Sequence, residues 1–248
     1  LGTAAFLESC HIPYSLVVEP DEAKEYEKYH LKERLLVCPE NFSQQKNGSI
    51  PVRNWVWKHS CALGAKRHWI LDDNIYNYKR VNKGQKTIIR SGAIFRMVED
   101  YVDRFTNIKM AGHNYTFFVS APNLNSVIIE NTRVYSSILL SNDIADTFPW
   151  RGTYNEDTDL SLRILKAGFP TVLFNTITAN KTGTMRTPGG NTDSIYIGPD
   201  AHHKKTIELV DEHPDVTTCV QRFGRTHHLV NYNAYKHLVP TPGEQYTL

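Results

Sequence analysis

The amino-acid sequence predicts an α/β fold, a mixed sheet flanked by helices in a single domain. Three observations carry this expectation. Short apolar runs alternate with amphipathic segments through the N-terminal half, the pattern of strands joined by helices. Charged and special residues gather where successive runs end, at Glu19-Pro20, Pro39-Glu40 and Asp72-Asp73-Asn74, and sheets of this class bind ligands beyond the carboxyl ends of their strands. No linker or repeat divides the 248 residues, a length that one domain can accommodate.

The elements follow in order. Residues 14–18 (YSLVV) are a short apolar, β-branched run stopped by Glu19-Pro20, as a buried strand ending in a loop would be. Residues 21–30, rich in Glu, Lys and Ala with acidic residues first, predict a helix. Residues 35–38 are a second strand closed by Pro39, and residues 44–49, with Asn47-Gly48, are a loop. From Ile50 the pattern is helical until Gly64; residues 68–71 then form a strand running into Asp72-Asp73-Asn74. These three strands are expected to form one parallel sheet. Ile94, Met97, Val98, Tyr101, Val102 and Phe105 recur at helical spacing behind Ser91, a suitable cap. Residues 116–119, 127–129 and 134–140 predict strands, the last two as a hairpin across Glu130-Asn131. A helix is expected over residues 157–167 with Gly168 as its stop, then a strand over residues 171–174 and a turn-rich loop over residues 181–193.

Composition limits the function classes. Hydrophobic residues at 40% and charged residues at 22% exclude a disordered or collagen-like chain. Lys+Arg 28 against Asp+Glu 26 leaves a net charge of +2, too little for a general polyanion binder, so any nucleic-acid contact must be local. No apolar stretch approaches the ~20 residues of a membrane span, and no signal-peptide pattern is visible. Cys10, Cys38, Cys61 and Cys219 have neither metal nor redox spacing, so free thiols and a cytoplasmic location are expected.

Four constellations could carry chemistry. Adjacent carboxylates at a strand end, Asp72-Asp73-Asn74, are costly unless something positive meets them. A divalent cation bridging two phosphates is such a partner, and hard oxygen ligands suit Mg²⁺ or Mn²⁺. An Asx turn accounts for the same residues equally well. Residues 48–54 (GSIPVRN) place a Gly loop before a helix start; the backbone there can approach a nucleotide, and Arg53 can pair with phosphate or a base edge. An ordinary loop and a surface Arg is the simpler alternative. Glu156, Asp157 and Asp159 complement a helix dipole, and one of them could serve as a general base toward a hydroxyl. Finally, His227-His228 follows Arg222 and Arg225; neighbouring residues on a strand point to opposite faces, so one of the two histidines at most faces a site.

Taken in order, these motifs resemble glycosyltransferases of the GT-A fold, in which a Rossmann-like mixed sheet carries a nucleotide-binding half with an acidic strand-end motif. Val52-Arg53-Asn54 is similar to the Ala-Arg-Asn segment upstream of that motif in many of them. More narrowly, residues 154–165 (YNEDTDLSLRIL), residues 181–185 (KTGTM) with Gly189-Gly190-Asn191-Thr192, and the tail from His213-Pro214-Asp215-Val216 to Arg222-Phe223-Gly224-Arg225 and His227-His228 resemble the TET-associated glycosyltransferase family. The likeness runs from Tyr14 to Tyr235. It implies a nucleotide-sugar-binding half over residues 12–110 and an acceptor half over residues 111–248, ending in a tail that contacts metal or phosphate. It also implies a UDP-sugar donor and, as acceptor, the hydroxyl of 5-hydroxymethylcytosine or 5-hydroxymethyluracil in bacteriophage DNA, modified in the host cytoplasm. A related animal domain linked to protein O-glycosylation leaves a protein or small-glycan acceptor open. A domain that has lost catalysis and only binds nucleic acid is the non-enzymatic alternative.

The resemblance distributes roles as follows. Glu19, Pro20, Arg53, Asn54, Asp72 and Asp73 would hold the nucleotide sugar. Asp73, Asn74, His227 and His228 would hold Mn²⁺ or Mg²⁺, although Asn74 stands where the general motif has its metal-binding Asp and an amide oxygen ligates hard cations more weakly. Asp157 would be the base, with inversion at the anomeric carbon, and Glu156 would position the acceptor. Lys181, Thr182, Gly189 and Gly190 would close over the donor. For DNA, Lys79, Arg80, Lys83, Lys86 and Arg90, interleaved with Tyr76 and Tyr78, could track phosphates and stack on a base, with Trp150 and Arg151 as further acceptor candidates; a solvated loop leading into a helix explains that basic run as well.

Overall fold

The computed structural model describes residues 2–29, 32–45, 47–181, 201–222 and 224–246. In chain order the strands are β1 (Leu16–Val18), β2 (Leu35–Val37), β3 (Arg67–Leu71), β4 (Ile75–Asn82), β5 (Gln85–Ile89), β6 (Met110–Tyr115), β7 (Ile128–Glu130), β8 (Ser137–Ser141), β9 (Thr171–Lys181), β10 (Thr217–Arg222) and β11 (Arg225–Val230). The helices are α1 (Gly2–Ser9), α2 (Ala23–Tyr26), α3 (Ile50–Ala62), α4 (Ala93–Val102), α5 (Glu156–Lys166) and α6 (Ala201–Glu212). A mixed sheet ordered β3-β8-β6-β9-β4-β5, with β7 also on β9, is flanked by α1, α3, α4 and α5 in a single domain. Its parallel pair is β6–β9; β3–β8, β6–β8, β4–β9, β4–β5 and β7–β9 are antiparallel.

Period-two alternation sorts the core. On β8, Ile138 and Leu140 pack with Trp57 of α3 and Leu160 and Ile164 of α5, while Leu139 between them packs with Val98 of α4. Centrally, β6 passes so close to its neighbour that a Cβ on Gly112 would stand 2.1 Å from the Ser137 carbonyl oxygen. Only glycine fits there. Among the described residues no helix is long and apolar enough to cross a membrane, and all four cysteines are free.

Several expectations need correction. β1 and β2 do pair in parallel, but in a two-stranded sheet of their own, and β3 joins the large sheet antiparallel to β8. Each of β1 and β2 has only three residues and is partly exposed, unlike the fully covered runs that central parallel strands require. The helix expected over residues 21–30 shrinks to Ala23–Tyr26, which buries nothing. Strand β6 ends before Thr116, where a strand was expected to start; its His113 and Asn114 look like loop residues but are buried with their polar groups satisfied. The hairpin across Glu130-Asn131 does not form. Asn131, at φ 56, donates its N–H to the Thr171 oxygen, so β7 pairs with β9 instead.

The basic run after the acidic motif is a hairpin of β4 and β5 rather than a loop and helix start. Lys83 and Gly84 turn it, at φ 47 and φ 74, as a two-residue turn of the primed kind demands. Helices α1 and α6 were not anticipated. Helix α3, the Ser91 hydroxyl accepting the Ala93 N–H and helix α5 with Gly168 at φ 89 agree with the periodicity to within two residues, whereas α4 stops at Val102, three residues short of Phe105, which bridges to Pro242 instead.

Candidate functional site

The C-terminal ends of β3, β6 and β9, the N-terminal approach to β8 and the first turns of α3 and α5 meet at one end of the large sheet, as the ion pairs below require. Asp72 leaves β3 there. Its oxygen Oδ1 accepts from Arg53 Nη2 at 3.2 Å; Oδ2 accepts from Lys181 Nζ at 2.8 Å and from the Ser136 hydroxyl. Burial alone would raise its pKa, but the Lys181 and Arg53 charges and the bonds from Lys181 and Ser136 outweigh it and hold the carboxyl below its ordinary value. Helix α1 fixes the turn from behind. The Thr3 hydroxyl donates to the Asp72 carbonyl and accepts the Ile75 N–H, and the Thr3 N–H donates to the Asp73 carbonyl.

Arg53 joins this carboxylate to α5. Its Nη2 lies 3.6 Å from Glu156 Oε1, and its guanidinium carbon stands 4.6 Å from the Trp150 ring centroid. The Arg53 Nη1 is buried with no protein partner among the described residues. A buried, charged donor without an acceptor is costly, and a ligand anion or carbonyl would satisfy it. Glu156 is pushed up by burial, with Arg53 opposing and Asp157 reinforcing. Asn155, in the left-handed conformation at φ 53, launches the helix and donates its amide to the Lys205 carbonyl at 2.7 Å. Asp157 accepts the Thr158 N–H and hydroxyl at Oδ1; among the described residues nothing engages its other oxygen.

Lys181 expends two of its three ammonium N–H donors on Asp72 and Ser136, and its Nζ stands 5.3 Å from the Tyr115 ring centroid. Tyr115 in turn shares a hydrogen bond with Ser136. Ser136 and Tyr115 escaped the sequence reading altogether. The φ of 61 at Ser136, which aims its hydroxyl, leaves no mark in a serine codon's neighbours that pattern reasoning could use.

Other expected contacts fall elsewhere. Glu19 accepts from the Ser43 N–H at 2.7 Å and from its hydroxyl, at the end of β1, and Pro20 is exposed beside it. Asn54 spends both ends of its amide on the Trp150 backbone, so it braces the wall under Arg53. Trp150 and Tyr78 are 1% and 0% exposed, which withdraws both as surfaces for an acceptor. Tyr76, Arg80 and Lys83 are exposed on the β4–β5 hairpin, and Lys79 is partly so. Thr182, Gly189 and Gly190 lie outside the described residues. A cavity of about 530 Å³ opens at the other end of β3, lined by Lys66, Arg67, Asp103, Lys109 and Asp143 among others; Arg67 is paired there with Asp103 and Lys109 with Asp143.

The residues expected to hold a divalent cation do not fit as one set. Asp73 is exposed, and Asn74 has a buried Oδ1 with no donor among the described residues, an oxygen of the hard type such ions take. The histidines face positive charge instead. His227 accepts the Arg225 Nε–H at 3.1 Å. His228 is pushed down to about 4 by burial and then by Arg133 and Lys205; an added cation there would confront both. Among the described residues, no three His, Cys, Asp or Glu side chains converge as a ligand group.

Asp159, the third acid of the helix start, is structural. It accepts from Arg163 Nε at 2.8 Å, from His213 Nε2 at 2.9 Å and from Arg151 Nη2 at 3.0 Å, and Arg151 also pairs with Glu212 at 2.7 Å. Arg151 is thereby committed within the protein. Burial raises the Asp159 pKa, but the bonds from His213 and Arg151 and the Arg163 charge bring it down to about 2. A carboxyl depressed on folding stabilises fully above its unfolded pKa, near 4, and the stabilisation is lost as pH falls toward the folded value. Asp159→Asn is therefore expected to cost about 2 kcal/mol or more at pH 7, and urea denaturation should show the gap to wild type closing between pH 5 and pH 2. Equal stability of the two proteins at pH 7 would refute this.

A family model described as TET-Associated Glycosyltransferase matches residues 1–190. A search among curated proteins finds no match.

Proposed function

Since the chain belongs to the TET-associated glycosyltransferase family and is thus a glycosyltransferase, we propose that it moves a sugar from a UDP-sugar onto the hydroxyl of a 5-hydroxymethylated pyrimidine in DNA. The observation that carries the site assignment is one continuous arrangement: Asp72 and Glu156 are bridged by Arg53, whose Nη1 has no acceptor among the described residues, and Asp157 follows Glu156 with one carboxylate oxygen likewise unengaged among them. On this reading the acceptor oxygen attacks the anomeric carbon from the side opposite the diphosphate, so the configuration inverts. The new C–O bond forms as the bond to the diphosphate breaks, and the acceptor proton passes to Asp157. Glu156 positions the acceptor. Arg53 and Lys181 meet the negative charge that builds on the departing diphosphate, in a site where fixed charges act strongly. The first half of the chain, residues 12–110, would hold the nucleotide and the remainder the acceptor.

Oligonucleotides with and without hydroxymethylated cytosine or uracil, incubated with a panel of nucleotide sugars and digested to nucleosides, provide the test. A mass increment of one sugar on the hydroxymethylated base alone is expected. Donor consumption with no labelled nucleoside would direct the acceptor reading to proteins or glycans.

Because two resident cations already serve Asp72, we further propose that transfer does not depend on the Mn²⁺ or Mg²⁺ that the family resemblance suggests. The rate should persist in EDTA, and Lys181→Met should lower kcat by roughly 10²–10³-fold, the scale of removing one transition-state donor. Abolition by EDTA with rescue by Mn²⁺ would overturn this charge assignment, and Asn74 Oδ1 with Asp73 would then be the first oxygens to test as ligands.

A further inference from the structure

Just past the end of β6 the chain exposes two adjacent aromatic rings, Phe117 and Phe118, at 57% and 54%. Their centroids are 4.4 Å apart, and both rings pack on Tyr115, at 5.1 Å and 5.7 Å. Exposing two phenylalanines side by side is unfavourable unless something covers them. Cations stand on both sides. Lys86 Nζ donates to the Thr116 carbonyl at 2.7 Å, which brings an ammonium next to Phe117. Arg133 places its guanidinium carbon 5.9 Å from the Phe118 centroid and 5.0 Å from that of Tyr135.

Arg133 is partly buried and forms no ion pair among the described residues. The Lys205 ammonium adds positive charge close enough to act on Arg133. Tyr115 links this surface to the site, through Ser136 to Asp72. An exposed π-face flanked by two cations that form no ion pair among the described residues suits a ligand with flat, unpaired bases on a phosphate backbone. A peptide or a lipid surface offers apolar and anionic groups but no flat bases spaced along a row of phosphates.

We propose that Phe117 and Phe118 form a stacking platform for an unstacked base of a single-stranded or locally opened nucleic-acid acceptor, with Arg133 and Lys86 on its phosphates. This rests on the DNA reading above and adds where, and in what state, the acceptor binds. It also moves the aromatic partners of the basic run from Tyr76 and Tyr78 to the neighbouring phenylalanines. A base held in this way has left the duplex stack.

The test is fluorescence anisotropy of a labelled single-stranded oligothymidylate and of its duplex with oligoadenylate, titrated with the full chain at several salt concentrations. Wild type should prefer the single strand. Phe118→Ala should weaken binding roughly 5- to 150-fold, the scale of one lost base–aromatic stack, and Phe118→Trp should restore it. Arg133→Gln should reduce the salt dependence by about one released counterion. Both rings are exposed, so melting temperatures are expected to match wild type and to exclude misfolding as the cause.

Unchanged oligonucleotide affinity in Phe118→Ala and in the Phe117→Ala/Phe118→Ala double variant would overturn the platform, even where wild type still binds and glycosylates DNA. Wild type that neither binds oligonucleotides nor labels them would overturn the DNA reading itself. Loss of labelling on a peptide acceptor in these variants, with oligonucleotide affinity unmoved, would replace the platform by a protein-docking surface.

Discussion

Asp157→Asn should lower the rate of sugar transfer by roughly 10²–10⁴-fold, the range a positioned general base supplies, while leaving nucleotide affinity close to wild type. The substitution is nearly isosteric, and an amide oxygen still accepts the Thr158 N–H and hydroxyl that engage Asp157 Oδ1. What disappears is the proton-accepting oxygen. Steady-state rates at saturating donor and acceptor measure the chemical loss, and calorimetric titration with UDP measures donor binding. A proportionate fall in kcat and in kcat/KM is the signature of an interaction made only in the transition state. Glu156→Gln provides the contrast. Glu156 is held against Arg53 and Ser49, so its loss should act on acceptor KM and on stability more than on kcat. Full activity in Asp157→Asn would eliminate it as the base, and a large loss of UDP affinity would place it in donor binding instead.

Legibility in the sequence followed the range of the forces involved. Helices α3, α4 and α5 were readable because an apolar stripe and a stop signal lie within one segment. Asp72 and Arg53 were readable as candidates because they sit at a strand end and a helix start, positions with known uses. Their joining was not readable. Asp72 and Lys181 are 109 residues apart in the chain, and Ser136 reaches Asp72 across 64; nothing local encodes such pairs. Strand β6 was hidden by Gly112, His113 and Asn114, whose polar groups find partners only after β8 and α4 are in place. The role of Lys181 changed for the same reason: a residue read as the start of a loop is the last residue of β9, nearly buried against an acid. Tyr78 and Trp150 illustrate the converse error. Aromatics beside charges suggested a binding surface, yet they are core residues that the charges pack against.

Arg53→Leu is expected to be the most damaging single change to the fold near the site. The guanidinium stands between two partly buried carboxylates, 3.2 Å from Asp72 and 3.6 Å from Glu156, whose side chains are 25% and 15% exposed. Removing one partner of a buried charge pair leaves the other uncompensated, at a cost of about 3–5 kcal/mol. Lys181 continues to neutralise Asp72 at 2.8 Å, so the penalty falls mainly on Glu156, which burial already pushes toward its protonated form. For a domain of this size, that cost lowers the melting temperature by about 6–20 °C. Arg53→Lys should rescue only part of it. A lysine ammonium keeps the charge but lacks the planar fork that spans both acids and stacks over Trp150. The decisive measurement is a double-mutant cycle. If Glu156 is the group left stranded, Glu156→Gln in the Arg53→Leu background should recover stability, because it removes the unpaired charge, whereas Glu156→Gln alone should destabilise. Additive losses from the two substitutions would mean that Arg53 and Glu156 do not interact, and the bridge joining the acidic strand end to the α5 carboxylates would have to be abandoned.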